Sequence, residues 1–257
     1  MNEMPVWAGE HLWQHNLDTT RNLVRQELVT RQLLEQLPPP DETLTVLDVG
    51  CGQGTQVVRL ARQGYRVVGV DISPDLLELA HLALAKEQPE VGQRVELLMG
   101  DIHHLDRTLS RTFDVVLCHG VLMYMPSLSA SLAELSCVVG DGGMMSVLTR
   151  NRAGIAMRAG MTGDWEGALD GFETRFYDNR VGMKGARADD PGEIFAALRQ
   201  LGCNVTAWYG VRLFTDHWTD QSLPIDFDRL VDAEEEAGRR DPYRQLTSLT
   251  HVFATKL

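Results

Sequence analysis

Several things are scarce in this chain of 257 residues. Four cysteines, Cys51, Cys118, Cys137 and Cys203, include no C-x-x-C pair, and most sit in apolar segments. That spacing excludes a disulfide framework and a cysteine zinc site, and it reads as buried free thiols in a reducing compartment. Basic residues are few: 24 Lys and Arg against 36 Asp and Glu give a net charge of −12. Such a balance argues against broad, nonspecific affinity for nucleic acid or an anionic membrane, though not against a local basic site. No apolar run approaches the length of a membrane span, and Met1 to Glu10 show no charged-then-apolar leader pattern. A cytoplasmic protein is expected. No internal repeat or low-complexity stretch is present.

What is there centres on Val46-Leu47-Asp48-Val49-Gly50-Cys51-Gly52-Gln53-Gly54. A short apolar run ends in a glycine cluster, and a helical pattern begins at Thr55. Glycine permits a sharp turn and a close backbone approach to a ligand. The start of the following helix adds free N–H groups and a positive dipole end. The stretch therefore reads as strand, turn and helix, a cradle for a ligand carrying a carboxylate or phosphate. A dinucleotide site would want G-x-G-x-x-G, but its third glycine position is Thr55, and Gly54 comes one residue early.

Three further segments follow at regular spacing. Arg66–Val70 ends in Asp71, about twenty residues past the first glycine, where a carboxylate can bind ribose hydroxyls. Val95–Met99 leads into Gly100, Asp101 and Ile102. Phe113–Cys118 leads into His119. Taken with the pattern D-x-G-x-G-x-G, these segments resemble the class I S-adenosylmethionine-dependent methyltransferases. The resemblance implies S-adenosylmethionine as cofactor and S-adenosylhomocysteine as product. It places Gly50, Cys51, Gly52, Gly54, Asp71, Ile72, Asp101, Ile102 and His119 around the cofactor. Cys51 stands where the family pattern suggests another glycine.

The rest of the chain alternates in the same manner. Thr19 or Thr20 caps a helix to about Leu37, which Pro38-Pro39-Pro40 ends. Strands are expected at 45–49, 66–71, 95–99, 113–118 and 144–149, with helices at 55–63, from Ser73-Pro74-Asp75 onward, and at 128–139. A further helix at 192–201, a strand at 203–209, an acidic helix at 226–240 with a solvated face, and a last strand at 248–256 complete the pattern. This alternation implies an α/β fold with a doubly wound, mostly parallel sheet. By resemblance the sheet has seven strands, the last lying antiparallel between strands five and six. The chain reads as one domain, 1–257: an N-terminal helical segment (1–40), a cofactor-binding core (41–150), an insertion (151–190) and a C-terminal part of the sheet with a helical insertion (191–257).

The insertion after strand five is too long for an ordinary connection. It should lie over the carboxyl ends of the strands, where open α/β sheets bind ligands, and it is read as a substrate lid. From Arg150 to Arg187 it carries seven basic and five acidic residues, +2 in a chain that is −14 elsewhere. Near the start, His11 and His15 are spaced i, i+4, but no third metal ligand is near, so a structural role is expected for both. No metal is expected.

Segments outside the cofactor motif narrow the resemblance. Arg25-Gln26, Asn151, the run Gly210-Val211-Arg212-Leu213-Phe214, and Asp241-Pro242-Tyr243 before His251-Val252 look like the bacterial tRNA 5-carboxymethoxyuridine methyltransferases, from about residue 20 to the end. The lysine-rich stretch of that family's lid is replaced here by the sparser Met183-Lys184-Gly185-Ala186-Arg187. The resemblance implies a tRNA wobble uridine carboxylate as acceptor, a contact from Arg25 to the methionine carboxylate, and a homodimer. A small-molecule acceptor is the alternative, and a non-catalytic cofactor-binding protein a third reading. A carboxylate nucleophile is ionised at pH 7 and needs no base. Orientation and a cationic anchor would suffice, with Arg212 and Arg152 as anchors and Asn151 and Tyr124 as hydrogen-bond partners. A hydroxyl or amine acceptor would need a base, for which His119 is the first choice.

Overall fold

A computed structural model describes residues 19–179, 184–219 and 223–257. Trp7, His11, Trp13 and His15, and within the insertion Arg180 and Met183, lie outside the described residues.

The first helix, α1 (Thr20–Gln36), starts at Thr19, whose hydroxyl accepts the Asn22 amide at 3.3 Å. Such a cap satisfies one of the amides that a helix start leaves without a partner. Five strands and three helices longer than one turn follow: β1 (Thr45–Val49), α2 (Thr55–Arg62), β2 (Arg66–Asp71), α3 (Pro74–Leu84), β3 (Val95–Met99), β4 (Phe113–His119), α4 (Leu128–Val138) and β5 (Val139–Arg150). Ser73 caps α3, Pro74 occupies its first turn and Asp75 faces its positive dipole end. β5 is longer than the sequence pattern suggested. It begins at Val139, ahead of Gly142-Gly143, and its pairing with β4 is irregular between Phe113 and Val115.

The insertion consists of helices α5 (Ala153–Met161) and α6 (Trp165–Glu173) and a two-stranded ribbon, β6 (Phe176–Tyr177) with β7 (Ala186–Arg187). The chain then returns through α7 (Pro191–Gln200), β8 (Cys203–Val211), α8 (Phe227–Arg239) and β9 (Leu249–Lys256).

Seven strands form one sheet in the order β3-β2-β1-β4-β5-β9-β8. All pairs are parallel except those of β9, which runs antiparallel between β5 and β8. Apolar layers cover both faces. One gathers Leu47, Val116, Leu132, Leu135 and Val147, and the other Val46, Leu60, Val115, Leu117 and Phe253, all of them buried. Strands covered on both faces read as continuous apolar runs, as β1 and β4 do. Strand order reverses at β1, so the crevice of this sheet opens at the carboxyl ends of β1 and β4.

Helix α8 departs from the solvated face that its Glu234-Glu235-Glu236 run suggested. Glu234 is wholly buried, and its carboxylate accepts the backbone amides of Leu213 (2.6 Å), Phe214 (3.1 Å) and Thr215 (2.8 Å) and the Thr215 hydroxyl (2.6 Å). Four donors replace the water that a buried carboxylate loses. Glu235 joins α8 to α1 through Arg31 at 2.9 Å, and Arg239 reaches back to Glu35 at 2.6 Å.

Of the cysteines, Cys51, Cys118 and Cys203 are buried free thiols, but Cys137 is exposed. Among the described residues no helix is long and apolar enough to cross a membrane.

Candidate active site

The turn after β1 takes the conformation its glycines allow. Gly50, Gly52 and Gly54 all have positive φ, at 75°, 57° and 78°. At Gly50 space is as restrictive as torsion, since an added Cβ would lie 2.2 Å from the Val121 side chain. The amides of Gly50 and Cys51 both donate to the Val70 carbonyl, at 2.7 and 3.1 Å, tying the turn to the end of β2. The Gly52 amide donates to Asp71 Oδ2 at 2.7 Å, while Asp71 Oδ1 accepts the Ser73 amide at 2.9 Å. Asp71 thus braces the turn.

A cavity of about 490 Å³ opens over this turn. Its wall includes Arg25 from α1, Asp48, Gly50, Cys51 and Gly52, then Asp71, Ile72, Asp101 and Ile102, and finally His119, Gly120 and Tyr124. Every residue expected near a cofactor lines it except Gly54. That glycine is the N-cap of α2, and an added Cβ there would meet the Ala80 side chain at 3.0 Å. Gly54 therefore serves the close packing of α2 on α3. Asp101 also caps the turn after it, accepting the His103 amide at 3.0 Å.

The cavity has unusual electrostatics. Burial, then the nearby Asp71, push the Asp48 carboxyl up to about 7. Burial and the adjacent Arg212 bring the Arg25 guanidinium down to about 10. Burial, reinforced by the Arg25 charge, drops His119 to about 3. Burial holds the Cys51 thiol far above its usual range, so it is no thiolate. The size of the cavity, its glycine floor and its acidic and basic ends fit an amino-acid nucleoside such as S-adenosylmethionine.

A second, smaller cavity of about 110 Å³ adjoins the first, sharing Arg25, Gly120 and Tyr124 with it. Among the described residues five arginines line it, Arg21, Arg25, Arg150, Arg158 and Arg212, with one carboxylate, Asp216. Arg150 and Arg212 hold Asp216 between them, at 3.3 and 3.2 Å. Burial opposes the charge on Asp216, but the two guanidiniums prevail and keep its carboxyl well below the usual range. Both arginines also donate to the Ser248 hydroxyl. Arg212 has a left-handed backbone, φ 63°, a costly conformation for a side chain of this size. The loop held by Glu234 begins at the next residue. The Arg158 guanidinium makes no hydrogen bond or ion pair among the described residues; burial lowers its pKa, as it does that of Arg212.

The insertion reaches this second cavity. Arg158 comes from α5 and Tyr177 from β6, and the Asn179 amide donates to the Tyr124 hydroxyl at 2.9 Å. Arg187 ties β7 to the Tyr124 loop, donating to the carbonyls of Met125 at 2.6 Å and Leu122 at 3.1 Å.

Of the five residues expected to act on an acceptor, three gather here. His119 and Tyr124 line the larger cavity, and Tyr124 and Arg212 the smaller. Asn151 and Arg152 line neither. Asn151 is wholly buried, and its amide donates to the carbonyls of Gln245 and Thr247, both at 2.9 Å. It fastens the end of β5 to the segment before β9. Arg152 pairs with Asp190 at 3.2 Å, partly exposed. The sequence reading missed Asp48, Arg150, Arg158 and Asp216. Asp48 had a signal in its place at the head of the glycine motif, and Arg150 had one at the carboxyl end of a core strand.

The fold and the turn define the class. Residues 40–170 match the family described as Methyltransferase domain, and the chain belongs to it. It is an S-adenosylmethionine-dependent methyltransferase of the class I, Rossmann-like fold. In sequence it is 25% identical, over 242 residues, to the tRNA 5-carboxymethoxyuridine methyltransferase of Escherichia coli (strain K12), covering 93% of this chain and 90% of that one. It is also 35% identical over 134 residues to the magnesium-protoporphyrin O-methyltransferase of Rhodobacter capsulatus, covering 51% of this chain and 57% of that one. In fold it is similar to the crystal structure of magnesium protoporphyrin IX methyltransferase from Synechocystis PCC 6803 with bound S-adenosylhomocysteine. That match has a TM-score of 0.65 at 16% identity and covers 97% of this chain and 94% of the other.

Proposed function

We propose that this enzyme methylates a carboxylate, and that the carboxylate belongs to 5-carboxymethoxyuridine at the wobble position of a tRNA. The observation that carries the proposal is the second cavity. Among the described residues, Arg150, Arg158 and Arg212 meet there around a single carboxylate, Asp216, beside the larger cavity, with which the smaller one shares Arg25, Gly120 and Tyr124. Such a surplus of positive charge asks for an anion, and a guanidinium fork matches a carboxylate geometrically. Arg158, whose guanidinium has no ion pair among the described residues, and Arg212 would grip it, with the Tyr124 hydroxyl alongside.

S-adenosylmethionine supplies an electrophilic methyl group when bound. Gly50, Cys51, Gly52, Asp71, Ile72, Asp101, Ile102 and Arg25 would hold it, and the remaining task is orientation. A carboxylate is already ionised and gives up no proton. His119, down at about 3, is too weak a base to serve a hydroxyl or amine near pH 7. That combination favours an acid as acceptor.

Support for a tRNA comes from the similarity to the Escherichia coli enzyme across 93% of this chain, and from the net positive insertion in an otherwise acidic molecule. The second reading is a small-molecule acid. The net charge of −12 favours it, because phosphate neutralisation dominates affinity for nucleic acid. Nucleoside mass spectrometry of tRNA from cells lacking this protein decides between them. Loss of one methylated uridine is expected, and an unchanged nucleoside profile would leave the small-molecule reading.

A further inference from the structure

A buried chain of hydrogen bonds runs from α1 through the sheet to the larger cavity. Gln32 Nε2 donates to the Gly210 carbonyl at 3.3 Å, and Gln32 Oε1 lies 2.7 Å from His251 Nδ1. His251 Nε2 lies 2.8 Å from the Ser146 hydroxyl, which lies 3.0 Å from His119 Nε2. Gln32, Ser146 and His251 are wholly buried. The other ring nitrogen of His119, Nδ1, is buried with no partner among the described residues.

The direction of this chain is fixed at one end. A backbone carbonyl only accepts, so Gln32 must turn its amide nitrogen to Gly210 and its oxygen to His251. His251 Nδ1 then carries the proton, and Nε2 is an acceptor for the Ser146 hydroxyl. The Ser146 oxygen in turn accepts from His119 Nε2–H. The opposite direction would set the Gln32 oxygen against the Gly210 oxygen at 3.3 Å, two acceptors facing each other. Burial keeps both rings neutral, helped at His119 by the Arg25 charge and at His251 by His119 and then Arg25, so neither ring carries a second proton at pH 7. Nδ1 of His119 is left as a bare lone pair.

We propose that Gln32, His251 and Ser146 are positioning residues that lock His119 in its Nε2–H tautomer, making its Nδ1 a fixed acceptor for the ammonium group of the methyl donor. Arg25 and His119 line the same cavity side by side. A guanidinium next to a bare imidazole nitrogen complements an amino acid, whose carboxylate and ammonium sit on one carbon. The proposal rests on the larger cavity being the donor's site.

Two measurements test it. In the wild-type protein, ¹⁵N spectra of the histidine rings should show His119 protonated at Nε2 and bare at Nδ1. Its Nδ1 resonance should move on titration with S-adenosylhomocysteine. In Ser146→Ala the single tautomer should give way to a mixture. Calorimetry then compares two variants. His119→Asn keeps an acceptor at the Nδ1 position and His119→Gln does not, so the first should bind S-adenosylhomocysteine within about threefold of wild type and the second about tenfold more weakly. The deaminated analogue should bind both alike. A proton on Nδ1, an Nδ1 resonance indifferent to the ligand, or equal losses in the two variants would overturn the proposal. Wild-type protein that ignores S-adenosylhomocysteine altogether would instead overturn the assignment of the cavity, and this proposal with it.

Discussion

The two cavities touch, yet they are built in opposite ways. The larger one is mostly backbone and short motifs: the turn at Gly50 to Gly52, then Asp71-Ile72, Asp101-Ile102 and His119-Gly120, each at the carboxyl end of the next strand of one crevice. The smaller one is made of long side chains from distant parts of the chain: Arg21 and Arg25 on α1, Arg150 at the end of β5, Arg158 on α5, Arg212 and Asp216 after β8. A backbone cradle works by torsion angles, which demand particular residues at particular spacings. A side-chain cluster works by reach, and reach tolerates almost any spacing. The larger cavity is the part written as a motif, and the arginine-lined cavity is not.

The strongest way to break this contrast is at Asp71, a side chain that braces the backbone cradle. Asp71→Ala removes the acceptor for both Gly52 and Ser73 and should weaken S-adenosylhomocysteine binding by about a hundredfold or more. Calorimetry that finds unchanged affinity would take Asp71 out of the cradle. Next comes the side-chain cluster. Arg212→Ala should lower kcat/KM for the acceptor by about a hundredfold, some 3 kcal/mol, with cofactor affinity within about threefold of wild type. An equal fall in both would mean that Arg212 supports the whole loop and not the acceptor.

A subtler effect belongs to Asp48. Its folded carboxyl is raised to about 7, against about 3.9 for an unfolded aspartate. Between those values the folded protein keeps a proton that the unfolded chain has released, so stability falls as pH rises through this window. Asp48→Asn, which cannot ionise, should gain on wild type by about 2 kcal/mol between pH 5 and pH 8 in urea unfolding. Parallel pH curves would show that the buried carboxyl is compensated. The smallest change is expected at Arg152, whose partly exposed pair with Asp190 lies outside both cavities. Arg152→Ala should shift kcat/KM by less than about twofold and stability by less than about 1 kcal/mol. A large loss of turnover would return Arg152 to the acceptor site.

The same contrast explains what was legible beforehand. All seven strands of the main sheet could be placed from apolar runs and turn residues, because apolar runs and glycine or proline punctuation are local signals. The beginning of β5 was lost, since Gly142-Gly143 reads as a break when it lies inside a strand. Asn151 looked like a ligand contact from its place after β5, but its amide is consumed by two carbonyls nearly a hundred residues downstream. Glu234 was indistinguishable from its solvated neighbours Glu235 and Glu236, because only the packing of α8 on the loop after β8 singles it out. Arg150 had only its place at the end of β5, and Arg158 carried no pattern at all. Their meaning comes from converging on Asp216 and Arg212, which tertiary structure alone brings about.

Glu234 has a wider effect than its own hydrogen bonds. Its carboxylate clamps the three amides that follow Arg212, so a guanidinium of the smaller cavity takes its bearing from a helix on the outside of the molecule. That helix is itself pinned to α1, the carrier of Arg21 and Arg25, through the pairs of Arg31 with Glu235 and of Arg239 with Glu35. Three basic groups from opposite ends of the chain are thereby mounted on one frame, and their spacing is set by an outer brace that lines neither cavity.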